Sequence, residues 1–274
     1  MKLSVLPVSL FSSLTGGEMT ITQWAVQAQE LGVDGFDVSS MFFKNHTATY
    51  IQQVQDEMKA AGVTIQPTMV CCYPDFTNPD PLERERQIDY FNRDIALSSK
   101  LGYQFIRITA GMNHPGITIE EGAAYAAECF ASVVQTADKY GIRLVFENHS
   151  KPGAWPLIDF SFNPDAFLAI YERIRDLNVG INFDTANAAA CGANPAALLE
   201  QVIDKVWTVH LNETGTVGKW TPALLGTGLV DFDSIFEVLN RHHFDGWICI
   251  EEASGTGMDG IRKAVAFANK YVRR

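Results

Sequence analysis

The sequence predicts an α/β fold, a single (β/α)8 barrel that spans residues 1–274. Its main support is a junction that recurs along the chain, at Leu31-Gly32, Ala61-Gly62, Leu101-Gly102 and Tyr140-Gly141. At each one a polar, helix-periodic stretch ends in an apolar residue and glycine, and a short apolar run follows. Glycine takes the left-handed conformation that ends a helix, so each junction leads from a helix into a strand. Strict alternation of this kind indicates parallel βαβ units, and eight units match a closed barrel of about 250 residues.

The predicted strands and helices follow from these junctions in chain order. The strands lie near Leu3–Leu6, Gly35–Val38, Thr64–Val70, Phe105–Thr109, Arg143–Glu147, Gly180–Asp184, Trp207–Leu211 and Trp247–Glu251. The helices are Thr20–Leu31, His46–Ala61, Pro81–Leu101, Thr118–Tyr140, Asn163–Asp176, Pro195–Ile203, Asp231–His242 and Gly257–Val272. Three of them start with Asp-Pro or Asn-Pro, a pair typical of a first helical turn. An open doubly wound sheet is disfavoured, because its glycine-rich GxGxxG turn should follow the first strand and none does; the match to this pattern, Gly255–Gly260, follows the eighth predicted strand.

Composition restricts the possible partners. The net charge is −11 and the pI about 5.0, and no run of adjacent cationic residues is longer than a pair, as at Arg273–Arg274. Nucleic-acid binding is therefore disfavoured, and a small neutral or weakly charged substrate fits better. No apolar run is long enough to cross a membrane.

Five cysteines, an odd number without a CxxC pair, indicate buried thiols, a reducing compartment and a cytoplasmic location. The apolar start resembles a signal peptide but has no clear cleavage site, and Lys2–Leu6 is better used as a strand.

Four consecutive predicted strands end on possible metal ligands, which are Glu147, Asp184, His210 and Glu251. In a β/α barrel the carboxyl ends of the strands surround one opening, where the active site lies. Three carboxylates that converge there would repel one another, and burial of each alone is costly. We therefore expect one divalent cation between them, with Mn²⁺ preferred and Mg²⁺, Co²⁺ or Zn²⁺ as alternatives. The competing interpretation is that each carboxylate pairs separately with a cationic side chain.

The segments around these residues resemble a known family, the xylose-isomerase-like TIM barrels, which include sugar-phosphate isomerases, ketose 3-epimerases and inosose-processing enzymes. The resemblance covers essentially the whole chain. Its motifs are Phe146-Glu147-Asn148-His149, Phe183-Asp184-Thr185-Ala186-Asn187, Val209-His210-Leu211-Asn212, the run from Gly226 to Phe232, and Phe244-Asp245-Gly246-Trp247 leading to Glu251. It implies that Glu147, Asp184, His210 and Glu251 bind one metal ion, and that both glutamates are catalytic. Glu252 is a weaker candidate, because strand alternation turns it away from the face of Glu251.

The activity that the resemblance implies is isomerisation or epimerisation of a small sugar, ketose or sugar-derived compound. A metal-bound carbonyl and hydroxyl lower the cost of an enediolate; one glutamate removes a proton and the other returns it. Hydride shift is a second route in the family, and the sequence does not separate the two. A homo-oligomer, a dimer or tetramer, is also expected from the relatives.

The sequence departs from the family's epimerases at positions that bind substrate. A histidine three residues after the strand-six aspartate is here Asn187, and a glutamate six residues after the strand-five glutamate is Gly153. The arginine typical of the loop after strand seven is missing, with Thr216 and Lys219 nearby. We therefore expect a pocket that differs from that of a standard ketose 3-epimerase.

Six residues are candidates for contact with the substrate: Arg107, His114, His149, Lys151, Trp155 and Asn187. Arg107 either binds a substrate oxygen or phosphate or forms a buried ion pair, with Asp37 as the candidate partner, and we prefer the ion pair. His149 and Lys151 follow Glu147 on a loop at the barrel mouth, and Trp155 could stack on a sugar face. The alternative for these residues and for His114 is an ordinary loop position.

Three other functions stay open. A metal-dependent dehydratase or lyase, for example on inosose or a related keto-polyol, also begins with proton removal beside a polarised carbonyl. An apurinic-site endonuclease needs more histidine and carboxylate ligands and a basic DNA-binding face, and the charge of −11 with only six histidines argues against it. A non-catalytic sugar-binding protein would not require two opposed glutamates.

Overall fold

Eight parallel strands form one sheet in a computed structural model that describes residues 1–150 and 156–273. The strands are β1 (Lys2–Pro7), β2 (Gly35–Ser39), β3 (Gln66–Cys72), β4 (Phe105–Ile108), β5 (Arg143–Glu147), β6 (Val179–Asp184), β7 (Val206–Leu211) and β8 (Trp247–Glu252). Each pairs with its sequence neighbour from β2 to β8, and β8 pairs with β1. The sheet is thus a nearly closed barrel, and the predicted (β/α)8 fold is confirmed.

The last junction, between β1 and β2, is made by single hydrogen bonds. The backbone N–H of Asp34 donates to Leu3 O at 2.8 Å, and the N–H of Leu3 donates to Asp34 Oδ2 at 2.9 Å. Inside the barrel, Ser4 Oγ donates to Asp37 Oδ2 at 2.6 Å. These bonds close the ring of strands, so residues far apart in sequence share one mouth.

The helices surround the barrel. They are α1 (Phe11–Thr15), α2 (Ile21–Glu30), α3 (Ala48–Ala60), α4 (Pro81–Lys100), α5 (Ile119–Tyr140), α6 (Pro164–Ile174), α7 (Thr185–Ala190), α8 (Pro195–Val202), α9 (Phe232–Arg241) and α10 (Gly257–Val272). Asp80, Asn163 and Asn194 cap α4, α6 and α8, each with proline in the first turn, as the sequence predicts. No helix within the described ranges is both long and apolar enough to cross a membrane.

Side-chain alternation along the strands separates two cores. The outward residues pack against the helices, for example Phe146, which contacts Phe130 and Phe167 with ring centroids 5.4 and 5.3 Å apart. The inward residues form a smaller cluster that includes Met69, Phe105, Val145, Trp247 and Cys249. On β5 this alternation puts Val145 and Glu147 inside and Phe146 outside. Packed side chains fill the barrel interior below the mouth. Side chains at the carboxyl ends of the strands therefore lie directly above a packed core.

Three features differ from the predicted elements. Strand β3 begins and ends two residues later than the predicted Thr64–Val70, because the N–H of Thr64 is bound by Gln29 Oε1 of α2 at 2.7 Å and not by a neighbouring strand. The short helices α1 and α7 were not predicted. Both are too short to show a helical hydrophobic period in the sequence.

Candidate metal centre

Four buried side chains meet at the mouth of the barrel. Glu147 and Asp184 are the last residues of β5 and β6, and His210 and Glu251 are the penultimate residues of β7 and β8. Each offers one ligand atom, and these atoms all lie within 4.8 Å of one another. The structure therefore brings together the four residues that the sequence singled out as metal ligands.

His210 lies between the carboxylates. Its Nδ1 is 2.6 Å from Glu147 Oε1, 3.0 Å from Glu251 Oε2 and 4.0 Å from Asp184 Oδ2. Three carboxylates with almost no contact with solvent share this space. Such a group needs a compensating cation, and three oxygen donors with one imidazole form a donor set that suits a divalent ion. The residues present thus fit the metal that the sequence implies.

Asp184 is held by backbone and amide groups around it. Its Oδ1 accepts the N–H of Asn187 at 2.6 Å, so Asp184 is the N-cap of α7. Its Oδ2 accepts Asn212 Nδ2 at 3.2 Å, and its backbone N–H and C=O pair with the amide of Asn148, both at 2.8 Å. These bonds fix the direction of the carboxylate toward the centre.

Glu147 is held on both oxygens. Arg107 Nε lies 3.0 Å from its Oε2, and Asn182 Nδ2 donates to its Oε1 at 2.9 Å. Thr208 Oγ1 in turn donates to Asn182 Oδ1 at 2.7 Å, which orients that amide. Burial raises the pKa of Glu147, but the charges of Arg107 and His210 outweigh burial and hold the pKa below its usual range. Glu147 therefore stays ionised, and its two contacts hold the carboxylate in one orientation.

Arg107 forms the buried ion pair that the sequence analysis preferred, but its partner is Glu147 and not Asp37. Asp37 lies deeper in the barrel, bound to Ser4. The Arg107 guanidinium also donates from Nη1 to Cys72 O at 3.3 Å and lies 4.6 Å from the centre of the Tyr73 ring. Burial raises the pKa of Tyr73 to about 12, so this phenol stays neutral at ordinary pH.

The two candidate histidines outside the metal centre are both bound to aspartates. His149 is buried, with Nδ1 3.1 Å from Asp159 Oδ2, and burial lowers the pKa of its imidazole despite the nearby carboxylate. His114 lies in the loop after β4, with Nε2 2.8 Å from Asp75 Oδ2. Asp75 also accepts the backbone N–H of Met112 at 2.8 Å, so His114 belongs to a network that orders the loops after β3 and β4.

Asn187, three residues after Asp184, is another predicted substrate contact. Its side chain is 3% exposed, and its Oδ1 accepts the hydroxyl of Ser150. Its Nδ2 has no hydrogen-bond partner among the described residues. Such a buried donor is costly unless a bound molecule satisfies it. The other two candidates, Lys151 and Trp155, lie outside the described residues.

Sequence reasoning missed several residues that support the site. Asn182 and Thr208 face the barrel interior, and alternation from Asp184 and His210 places them there, but only the fold shows their contacts. Glu213, just after β7, is buried, and its carboxylate accepts the N–H groups of Thr214, Gly226 and Val230 at 3.0, 3.2 and 3.1 Å. It fastens the Gly226–Val230 loop over the barrel.

Glu252 lies on the other face of β8, away from the metal centre. Its Oε1 accepts the N–H of Ser254 at 2.9 Å, and the same oxygen is 2.7 Å from the position that a Cβ on Gly260 would take. Gly260 is in α10, outside the barrel. Glu252 therefore lies outside the cluster of possible ligand atoms to which Glu251 belongs.

Comparison with known proteins identifies the family of the chain. A family model described as xylose isomerase-like TIM barrel matches residues 25–271. The chain belongs to this family. A curated relative, the inosose dehydratase of Clostridium beijerinckii, is 21% identical over 170 residues, 56% of this chain and 55% of the relative. The chain thus matches only about half the length of the curated relative.

Two solved structures show the family fold over the full chain. A D-tagatose 3-epimerase-like protein superposes with a TM-score of 0.77 at 18% identity, covering 100% of this chain and 97% of that protein. An IOLI protein with a bound zinc atom superposes with a TM-score of 0.76 at 18% identity, covering 99% and 98% of the two chains. At such identities the likeness concerns the xylose isomerase-like fold.

Proposed function

We propose that this protein is a divalent-metal-dependent isomerase or epimerase of a small ketose or keto-polyol. The observation that carries the proposal is the position of Glu147 and Glu251, whose carboxylates lie 2.6 and 3.0 Å from the same nitrogen of His210. They reach it from β5 and β8, which two other strands separate in the sheet. Two carboxylates on different sides of one site can remove a proton from one face of a carbon and return it to another.

The proposed metal ligands are Glu147, Asp184, His210 and Glu251. The ion would polarise a substrate carbonyl and so acidify the adjacent C–H bond. Mn²⁺ remains our preferred metal, and the zinc of the IOLI protein makes Zn²⁺ the first alternative.

The roles of the protein groups follow from their contacts. Glu147, held ionised by Arg107 and oriented by Asn182, is the proposed base. Glu251 is the proposed acid, which donates its own proton to the substrate, while Glu147 releases the proton that it removed to solvent. The unsatisfied amide N–H of Asn187 is proposed to donate a hydrogen bond to a substrate hydroxyl or carbonyl oxygen. This bond would fix the orientation of the substrate in the site.

The proposed substrate is a small, neutral carbohydrate. The acidic chain, with a net charge of −11, disfavours a multiply charged anion. The sugar named for the epimerase-like neighbour and the keto-polyol named for the curated relative are both neutral and polyhydroxylated. Among the other inferences from the sequence, the cytoplasmic location, the homo-oligomeric state and the absence of nucleic-acid binding stay predictions.

A dehydratase of a keto-polyol is the second candidate, and the names of the curated relatives favour it, because six matches carry the name inosose dehydratase. Elimination starts with the same proton removal by Glu147. It then differs in one step: Glu251 would give its proton to the leaving hydroxyl and not to carbon. The same site thus supports either outcome, and the substrate decides which bond breaks.

Incubation of the Mn²⁺-loaded protein with ketoses and keto-inositols in D₂O separates the candidates. An epimerase or isomerase that transfers a proton incorporates solvent deuterium at the carbon beside the carbonyl, whereas one that uses a hydride shift converts the substrate without deuterium. Neither loses water. A dehydratase loses one water and forms a conjugated enone that absorbs ultraviolet light. Protein treated with a chelator and the variant Glu147→Gln serve as controls. Turnover that is equal after complete metal removal contradicts both candidates.

A further inference from the structure

We propose that Arg107 is a positioning residue that supplies a permanent counter-charge to the metal centre, so that the carboxylates stay assembled when no metal is bound. The inference rests on the proposed metal-dependent function. Its basis is the contact between Arg107 Nε and Glu147 Oε2 at 3.0 Å, with both side chains completely buried. The other oxygen of Glu147 faces His210 at 2.6 Å. Glu147 therefore lies between a fixed cation and the proposed metal position.

The position of the guanidinium is fixed by more than this ion pair. Its Nη1 donates to Cys72 O at 3.3 Å, and its carbon lies 4.6 Å from the Tyr73 ring centre. An arginine held in this way is ionised at every accessible pH, because its charge is delocalised and its neighbours favour it. It therefore contributes a constant positive charge beside the proposed ligands, with or without metal.

The need for such a cation follows from the charges of five buried side chains, which are Arg107, Glu147, Asp184, His210 and Glu251. When His210 binds a metal ion as a neutral imidazole, three carboxylates and one guanidinium carry two excess negative charges, which one divalent ion cancels. Without Arg107 the same buried group carries one more excess negative charge, and in the metal-free protein no metal ion offsets it. Repulsion among buried like charges is strong, because water screens it little. Loss of Arg107 should therefore harm the metal-free protein more than the metal-loaded one.

Thermodynamic linkage gives this idea a distinctive signature. If Arg107 stabilises the metal-free state more than the metal-bound state, it must also weaken metal binding by the same factor. Arg107→Gln should then bind Mn²⁺ more tightly, by about 10-fold, within the range usual for coupled sites. It should also turn over more slowly, because Glu147 loses one of its two positioning contacts. Tighter metal binding with slower turnover distinguishes this role from others.

The experiment measures melting temperature in EDTA and in saturating Mn²⁺ at pH 8, and the Mn²⁺ dissociation constant, for the wild type and three variants. Arg107→Gln should lose more stability in EDTA than in Mn²⁺, by about 5 °C or more. Arg107→Lys keeps a charge at greater distance from Glu147 and should show an intermediate difference. Arg143→Gln is the matched control, because this arginine also lies on a barrel strand but stacks on Trp207, 4.3 Å from its ring centre. Arg143→Gln should lower the melting temperature by the same amount in EDTA and in Mn²⁺.

The outcomes separate the explanations. Equal losses for Arg107→Gln with and without Mn²⁺ would show that Arg107 only fills space, and a raised KM with an unchanged Mn²⁺ affinity would show a substrate ligand. Either result overturns the inference. If Arg107→Gln does not fold in either condition, Arg107→Lys decides, and a metal-induced stabilisation equal to that of the wild type overturns it. If neither Mn²⁺ nor Zn²⁺ stabilises the wild type, the proposed metal-dependent function itself is refuted.

Discussion

The backbone N–H of Asn187 donates to Asp184 Oδ1 at 2.6 Å, so a carboxylate of the candidate metal centre is also the cap of the helix that carries Asn187. The proposed substrate donor is thus fixed relative to the proposed metal through one residue. Both groups are almost fully buried. This geometry couples metal binding to the position of the Asn187 side chain.

Asn187→Ala is expected to raise KM for the substrate by about 5-fold while kcat changes less, because a lost hydrogen bond to a neutral group weakens binding by roughly 1 kcal/mol. Its backbone bond to Asp184 remains, so the metal affinity should be unchanged. Steady-state kinetics and Mn²⁺ titration check this. An unchanged KM would show that the Nδ2 group does not contact the substrate.

The four residues of the candidate metal centre could be located from the sequence, but the residues that support them could not. Glu147 and Glu251 each close an apolar run, and that position alone indicates the mouth of a barrel. Arg107 is different, because a buried arginine in β4 can pair with any interior carboxylate. From the sequence, Asp37 was the expected partner of Arg107. Only the structure identifies Glu147 as the partner, through the register of β4 against β5 and the deeper position of Asp37 in the barrel. Likewise, α7 could not be found, because six residues give no measurable period.

Glu147→Gln and Glu251→Gln should each reduce kcat by about 1,000-fold, within the range for loss of a general acid or base. Their effects on stability should differ. Glu147→Gln leaves the buried Arg107 without its counter-ion and should cost about 3–5 kcal/mol of unfolding free energy, whereas Glu251→Gln keeps that pair intact. Urea unfolding in Mn²⁺ and initial-rate assays check both. Near-normal turnover in either variant refutes the proposed pair of catalytic glutamates.

Thr208→Val should lower kcat about 10-fold, the lower end of the effect of groups that orient metal ligands. Thr208 Oγ1 donates to Asn182 Oδ1 at 2.7 Å, and Asn182 donates to Glu147 Oε1 at 2.9 Å, so the hydroxyl holds the amide that holds the base. Thr208→Ser keeps the donor and is the matched control, with kcat near that of the wild type. Equal kcat for the two variants would mean that the amide keeps its orientation without Thr208.

Glu213→Gln should destabilise the fold by about 1–3 kcal/mol, the cost of leaving buried polar groups unsatisfied. One carboxylate oxygen accepts the N–H of Thr214 and of Val230, and the other accepts that of Gly226; an amide NH₂ would face one of these donors. Glu237→Gln on the exposed face of α9 is the control and should change stability by less than about 0.5 kcal/mol. Urea unfolding measures both, and equal values would remove the loop-fastening role of Glu213.

Asp37 makes stability depend on pH in a way that one substitution can isolate. Burial raises the pKa of this carboxyl from 3.8 to about 7, although hydrogen bonds such as that from Ser4 Oγ, at 2.6 Å, act in the opposite direction. Between these two values the folded protein keeps a proton that the unfolded chain releases. The unfolding free energy therefore falls as pH rises from about 4 to 7 and levels off above that.

Asp37→Asn removes this titration and keeps a similar shape. The stability of Asp37→Asn relative to the wild type should therefore increase with pH, by up to about 4 kcal/mol between pH 4 and pH 8, the value that follows from a shift of this size. Urea unfolding of both proteins in EDTA across this range measures the difference, and the other titrating groups cancel in the comparison. A difference that stays constant with pH would mean that Asp37 is ionised in the folded barrel, and that its neighbours Ser4 and Cys249 stabilise the charge.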